Sequence, residues 1–168
     1  MKYFMIGKRL ERAAAFCKSE HMRFRIVVAG KPALNYAKTA VADYLKRMVR
    51  HGGCELVMVK AGDSASVSAR LLEASQGCHR IALDERGEAP DTRSLAGKME
   101  ALEMNGEVKT VAFLIGAADG HTPELRNACD MVLALSKLTM QHELALIVLL
   151  EQLYRFACIK SGSPYHRD

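Results

Sequence analysis

Between Ser136 and His142 the chain reads SKLTMQH, which sets two hydroxyls, an ammonium group and an imidazole within seven residues. An apolar, strand-like run, DMVLALS from Asp130 to Ser136, leads into it, and ELALIVLLEQLYRFACIK follows. The second run is too long for a strand and holds neither Gly nor Pro, so it reads as a helix. A strand feeding through a turn into a helix puts that turn at the strand's carboxyl end, where open parallel sheets bind ligands. The candidate site starts there. A second loop, GAADG from Gly116 to Gly120, lets backbone approach a ligand closely, although an ordinary turn is the plainer use of the same glycines. The tail SGSPYHRD adds Tyr165, His166 and Arg167. On residue type alone such a tail is usually frayed, and a lone His at a helix start is usually structural.

Other chemistries lack their motifs. There is no GxGxxG or GxxxxGK[ST], so NAD, ATP and GTP are not indicated. The five cysteines form an odd set without CxxC spacing, and no HxxxH or HExxH occurs among the six histidines, so no metal site is expected. Without a secretion signal the cysteines read as reduced thiols of a cytoplasmic protein.

The elements that must position the loops alternate regularly. RFRIVVAG from Arg23 is strand one, and Pro32 to Arg50 is a helix with Leu34, Ala37, Val41, Tyr44, Leu45 and Met48 at helical spacing. CELVMVK is strand two, a short helix starts at Ser64, and HRIALD is strand three. The polar loop ERGEAPDT precedes a helix through Met104 with Thr92 as its cap. TVAFLIG is strand four, and Glu124 to Cys129 forms a short helix before strand five. Strands alternating with helices give a three-layer α/β domain with a mostly parallel sheet.

At 168 residues the body, residues 22–168, is one domain. The basic, partly apolar residues 1–21 are an N-terminal extension, either helical or upstream of a start at Met22, and no function is given to them. YFMI is too short for a signal-peptide core, and no run reaches membrane-spanning length. Of 24 basic and 19 acidic residues, the extension holds five and two, so the body is only mildly basic. Affinity for nucleic acid would have to come from local clusters, either Lys46, Arg47 and Arg50 or Lys137, Arg155, Lys160 and Arg167. A solvated charged face is the plainer reading of the first cluster.

IALDERG at Ile81–Gly87, LIGxxxG at Leu114–Gly120, LSKLTMQH at Leu135–His142, EQLYR at Glu151–Arg155 and PYHRD at Pro164–Asp168 follow one another in an order and spacing with a counterpart. In this the chain resembles the ribosomal large-subunit pseudouridine N3-methyltransferases, small members of the SPOUT superfamily of knotted methyltransferases. The resemblance covers Arg23 to Asp168 and implies a C-terminal trefoil knot that holds S-adenosylmethionine in a bent form. Pattern reading alone assigns an unknotted sheet.

Carried over by position, the resemblance implies cofactor contacts at Leu83, Gly116, Leu135, Ser136, Lys137, Leu138, Thr139 and Met140. It implies substrate-side, catalytic residues at His142, Tyr165 and His166, with Arg155 and Arg167 suited to phosphate contacts on RNA. It also implies a homodimer in which one subunit's tail completes the other's site, acting on large-subunit rRNA in the ribosome without a metal. The almost wholly apolar LALIVLL in the last helix suits either a dimer interface or full burial. The reaction implied is methyl transfer to N3 of a pseudouridine, in which His166 or His142 takes the imide proton and Tyr165 stacks on the base.

The chain departs from the family pattern at four positions. Ala117 and Ala118 replace a glycine and a proline of the glycine loop, Gln141 replaces a proline, and Leu146 stands where an Arg is common. These departures motivate an alternative: a SPOUT-fold protein that binds cofactor or ribosome but methylates another RNA or is inactive. A remoter alternative, a receiver-like signalling domain, is disfavoured because Ala29, Gly30 and Lys31 stand where an acidic pair is needed.

Overall fold

The computed structural model describes residues 22–167, so the expectations for residues 1–21 and for Cys17 lie outside the described residues. Five parallel strands form one sheet: β1 Arg23–Ala29, β2 Cys54–Val59, β3 His79–Glu88, β4 Thr110–Ile115 and β5 Met131–Leu133. Their order across the sheet is β2-β1-β4-β3-β5. The helices are α1 Asn35–Met48, α2 Ser64–Ala74, α3 Thr92–Asn105, α4 Pro123–Asn127 and α5 His142–Lys160.

Period-two alternation sorts the strand side chains between two cores. Phe24, Ile26, Val28, Phe113 and Ile115 meet α1, α3 and α5 on one face, while Val27, Ala29, Ala112 and Leu114 meet α2 and α4 on the other. Helix α5 contributes Leu146, Leu149, Leu150 and Leu153, each 1% exposed or less. Burying a leucine side chain contributes about 1.5–3 kcal/mol, so this stripe holds α5 on the sheet. Among the described residues no helix is long and apolar enough to cross a membrane.

Several boundaries differ from the expected ones, those of α1 and β3 for tertiary reasons. Helix α1 starts at Asn35 instead of Pro32, because the N–H groups of Ala33 and Leu34 donate to the carboxylate of Glu143, both at 3.1 Å. Burial pushes the pKa of Glu143 up, but these two donors together with the nearby side chains of His142 and Lys38 outweigh it, and the net direction is down. Strand β3 does not stop at Asp84. It continues to Glu88, which pairs with Leu133 after an irregularity in register. Only glycine fits at residue 87, where a Cβ would stand 2.5 Å from the carbonyl oxygen of Val132. Strand β5 is correspondingly short, and Ala134 N–H already donates to Glu88 O at 2.8 Å. Asp91, not Thr92, caps α3 by accepting from Ser94 N–H at 2.7 Å, and Thr92 Oγ1 instead donates to Gln152 Oε1 of α5 at 3.0 Å. Helix α4 is capped by Thr122 and ends at Asn127 rather than Cys129.

Candidate active site

A cleft of about 340 Å³ opens at the carboxyl ends of β3, β4 and β5. Its walls come from residues 83–86, 115–121, Leu133, 135–136 and 138–140, with His142 and Ala145 of α5 at one side. Of the expected cofactor residues, Leu83, Gly116, Leu135, Ser136, Leu138, Thr139 and Met140 line it. Lys137 does not; its Nζ donates outside the cleft to Gly87 O at 3.3 Å.

The turn between β5 and α5 is held by its own polar residues and by the extension of β3. Ser136 Oγ accepts from Leu138 N–H at 3.0 Å, and Thr139 Oγ1 donates to Glu85 Oε2 at 2.5 Å. Gln141 caps α5, accepting from Leu144 N–H at 3.2 Å, which leaves His142 as the first helical residue and half-buried. Leu146, the departure from an expected Arg, is fully buried in the core and cannot face a substrate.

Two further residues of the cleft wall, His121 and Asp84, carry no role in the methyltransferase reading of the sequence. The His121 ring is 6% exposed, its Nε2 lies 3.2 Å from Leu114 O, and its Nδ1 is buried without a hydrogen-bond partner. Burial lowers its pKa, so the ring is neutral. Asp84 Oδ2 accepts from Arg126 Nη1 at 3.3 Å, and the same guanidinium nitrogen donates to His121 O at 2.6 Å. The pair neutralises the acid at the cleft wall and ties α4 to the glycine loop. A His directly after the Gly116–Gly120 loop was the available signal.

The tail lies elsewhere. Tyr165 OH donates to Glu151 Oε1 at 3.1 Å, Arg155 is ion-paired with Glu151, and Arg155 Nη1 lies 3.2 Å from His166 Nδ1. The Arg155 guanidinium sits 4.9 Å over the Tyr165 ring, whose centroid is 4.8 Å from that of Tyr154. Arg47 of α1 stacks 5.7 Å over Tyr154, so parts of the two sequence-distant basic clusters join one aromatic face, although Arg47 is also paired with Asp43 at 2.8 Å. Burial, with Tyr44 and Glu151 beside it, raises the Tyr165 pKa, and the group stays a phenol. Arg167 is exposed. Arg155 stands thirteen positions beyond His142 along α5, about 20 Å at the α-helical rise. None of Arg155, Tyr165, His166 or Arg167 lines the cleft of its own chain.

Residues 22–166 match the family described as "Predicted SPOUT methyltransferase". The chain belongs to the SPOUT methyltransferase family. Within it, the chain is similar to the ribosomal RNA large subunit methyltransferase H of Thermus thermophilus, 44% identical over 146 residues that cover 87% of this chain and 99% of that one. The protein of the same name from Thiobacillus denitrificans is 38% identical over 158 residues, covering 88% and 100%. Among solved structures, a probable methyltransferase from Bordetella pertussis superposes with a TM-score of 0.54 at 17% identity, over 89% of this chain and 99% of that one. A putative methylase family protein from Neisseria gonorrhoeae gives 0.51 at 16%, over 88% and 86%. These structures share the fold of this chain. SPOUT methyltransferases are enzymes, so the cleft at the strand ends is the place to seek methyl transfer.

Proposed function

We propose that this chain methylates N3 of a pseudouridine in large-subunit (23S-type) ribosomal RNA with S-adenosylmethionine, acting on assembled ribosomes as a homodimer in the cytoplasm. The cleft carries the reading: seven positions expected to touch the cofactor converge on it from β3 and from two loops. The names of the relatives from Thermus and Thiobacillus support the RNA.

The cleft suits the cofactor. Its volume lies in the range of small-molecule sites, and its lining pairs apolar side chains with backbone at Gly116–Gly120 and residues 135–140, which suits an adenosyl group. When bound, S-adenosylmethionine supplies an electrophilic methyl group on a sulfonium sulfur. Leu83, Leu135 and Met140, which line the cleft, would hold the adenine and exclude water, and Gly116 would let backbone approach it closely. Residues 85–88 hydrogen-bond to the chain leaving β5 at Ala134 and Thr139, contacts that support the family's trefoil knot.

His142, the first residue of α5 and part of the cleft wall, takes the imide proton directly or through one water. An antiparallel pairing of two α5 helices would carry each tail the roughly 20 Å to its partner's cleft. There Tyr165 stacks on the flipped base, and the exposed Arg167 meets a phosphate, while Arg155 stays paired with Glu151.

The burial of Leu146, where an Arg is common, favours a second reading in which another RNA is methylated. Tritiated methyl transfer to ribosomes, large subunits and free rRNA from a strain lacking the gene, with the labelled nucleotide mapped, decides between them. Label on a pseudouridine supports the first reading. Label elsewhere, or none while calorimetry still shows S-adenosylmethionine binding, contradicts it.

A further inference from the structure

Arg155 Nη1 lies 3.2 Å from Nδ1 of His166. A guanidinium has N–H donors and no lone pair, so the contact is a hydrogen bond only when Nδ1 is the acceptor. A neutral imidazole whose lone pair is on Nδ1 carries its proton on Nε2. The guanidinium is itself fixed one turn away along α5 by the Glu151 carboxylate, which also accepts from Tyr165 OH at 3.1 Å. Glu151, Arg155 and His166 thus form one chain of contacts that selects a tautomer. A histidine base is wired the other way: its Nδ1–H donates to a carboxylate, and Nε2 presents the lone pair.

We infer that His166 works in the transfer site as a hydrogen-bond donor through Nε2–H, not as the base, and that Glu151 and Arg155 are the positioning residues that hold that tautomer. This rests on the reading that the substrate is a pseudouridine imide. When the N3 proton leaves to His142, the negative charge left behind is shared with the flanking carbonyl oxygens, and Nε2–H donates to one of them. No bond to His166 forms or breaks, its proton stays on Nε2, and the imide proton ends on His142. A donor aimed at developing charge in a water-excluded site is worth about 10²–10³ in rate.

The test uses the full-length dimer labelled with ¹⁵N-histidine, since ring-nitrogen shifts separate protonated from unprotonated nitrogens. The His166 signals are those lost in His166→Gln. A protonated Nε2 with an unprotonated Nδ1 is expected in the wild type, and a mixture of tautomers in Arg155→Met and Glu151→Gln. In methyl transfer, His166→Gln keeps an N–H donor and is expected to exceed His166→Ala at least about tenfold, within the span such donors command. A wild-type Nδ1–H tautomer, or equal loss in the Gln and Ala variants beside an active wild type, overturns the inference. A wild type that transfers no methyl to pseudouridine overturns the functional reading and the donor role with it, while the spectra still decide the tautomer.

Discussion

A Cβ on Gly116 would stand 3.0 Å from both Cε1 and Nδ1 of the His121 ring. The ring cannot retreat, because its Nε2 is tied to Leu114 O and it is buried against the end of β4. Gly116→Ala therefore overpacks the floor of the cleft, a change that costs about 1–3 kcal/mol in well-packed sites. About tenfold weaker S-adenosylmethionine binding is expected by calorimetry, equivalent to about 1.4 kcal/mol. The double variant Gly116→Ala/His121→Ala should recover most of it. Unchanged binding in the single variant would show that this contact does not shape the site.

His121 also gives the protein a pH dependence. Burial lowers its folded pKa below the ordinary histidine value, so the unfolded chain binds the proton more readily. The contribution to stability is complete above about pH 6.5, the unfolded value, and is lost as pH falls from there through the lowered folded pKa. Denaturant unfolding between pH 7 and pH 5 should show stability declining in the wild type and a flatter slope in His121→Leu. Parallel slopes would remove His121 as the cause.

Leu149 of α5 is fully buried, whereas Met104 near the end of α3 is 81% exposed. Leu149→Ala is expected to lose about 2–5 kcal/mol in urea unfolding. Met104→Ala should stay within about 0.5 kcal/mol of wild type. Comparable effects at the two positions would contradict the packing of α5 on the sheet.

Much of the fold is legible in the sequence because its signals are local. IVVA at the end of β1 and VAFLI of β4 are buried on both faces of the sheet, so they read as continuous apolar runs, and SKLTMQH stands out as a polar break between two apolar runs. The extension of β3 through ERGE was not legible. Its residues are polar and largely exposed, and backbone pairing of Glu88 with Leu133 holds them, at a glycine whose need comes from Val132, 45 positions along the chain, rather than from its neighbours. The same holds for the start of α1, set by Glu143, a residue of α5. In the site, the loop around Gly116 was visible but its His121 floor was not, and the tautomer of His166 emerges only when the tail folds back along α5 onto Arg155. Side chains brought together by tertiary folding leave no periodic trace in the sequence.

The proposed composite site makes the tail of one subunit serve the cleft of the other, although about 20 Å of helix separates the two within a chain. Mixing His142→Ala subunits with His166→Ala subunits, after denaturation and refolding together, measures this directly. Each variant alone should be nearly inactive in methyl transfer to ribosomes. The random mixture should recover about a quarter of wild-type activity, because about half of the dimers are mixed and each holds one intact pairing of cleft and tail. A mixture no more active than its separate components would contradict a site shared between subunits.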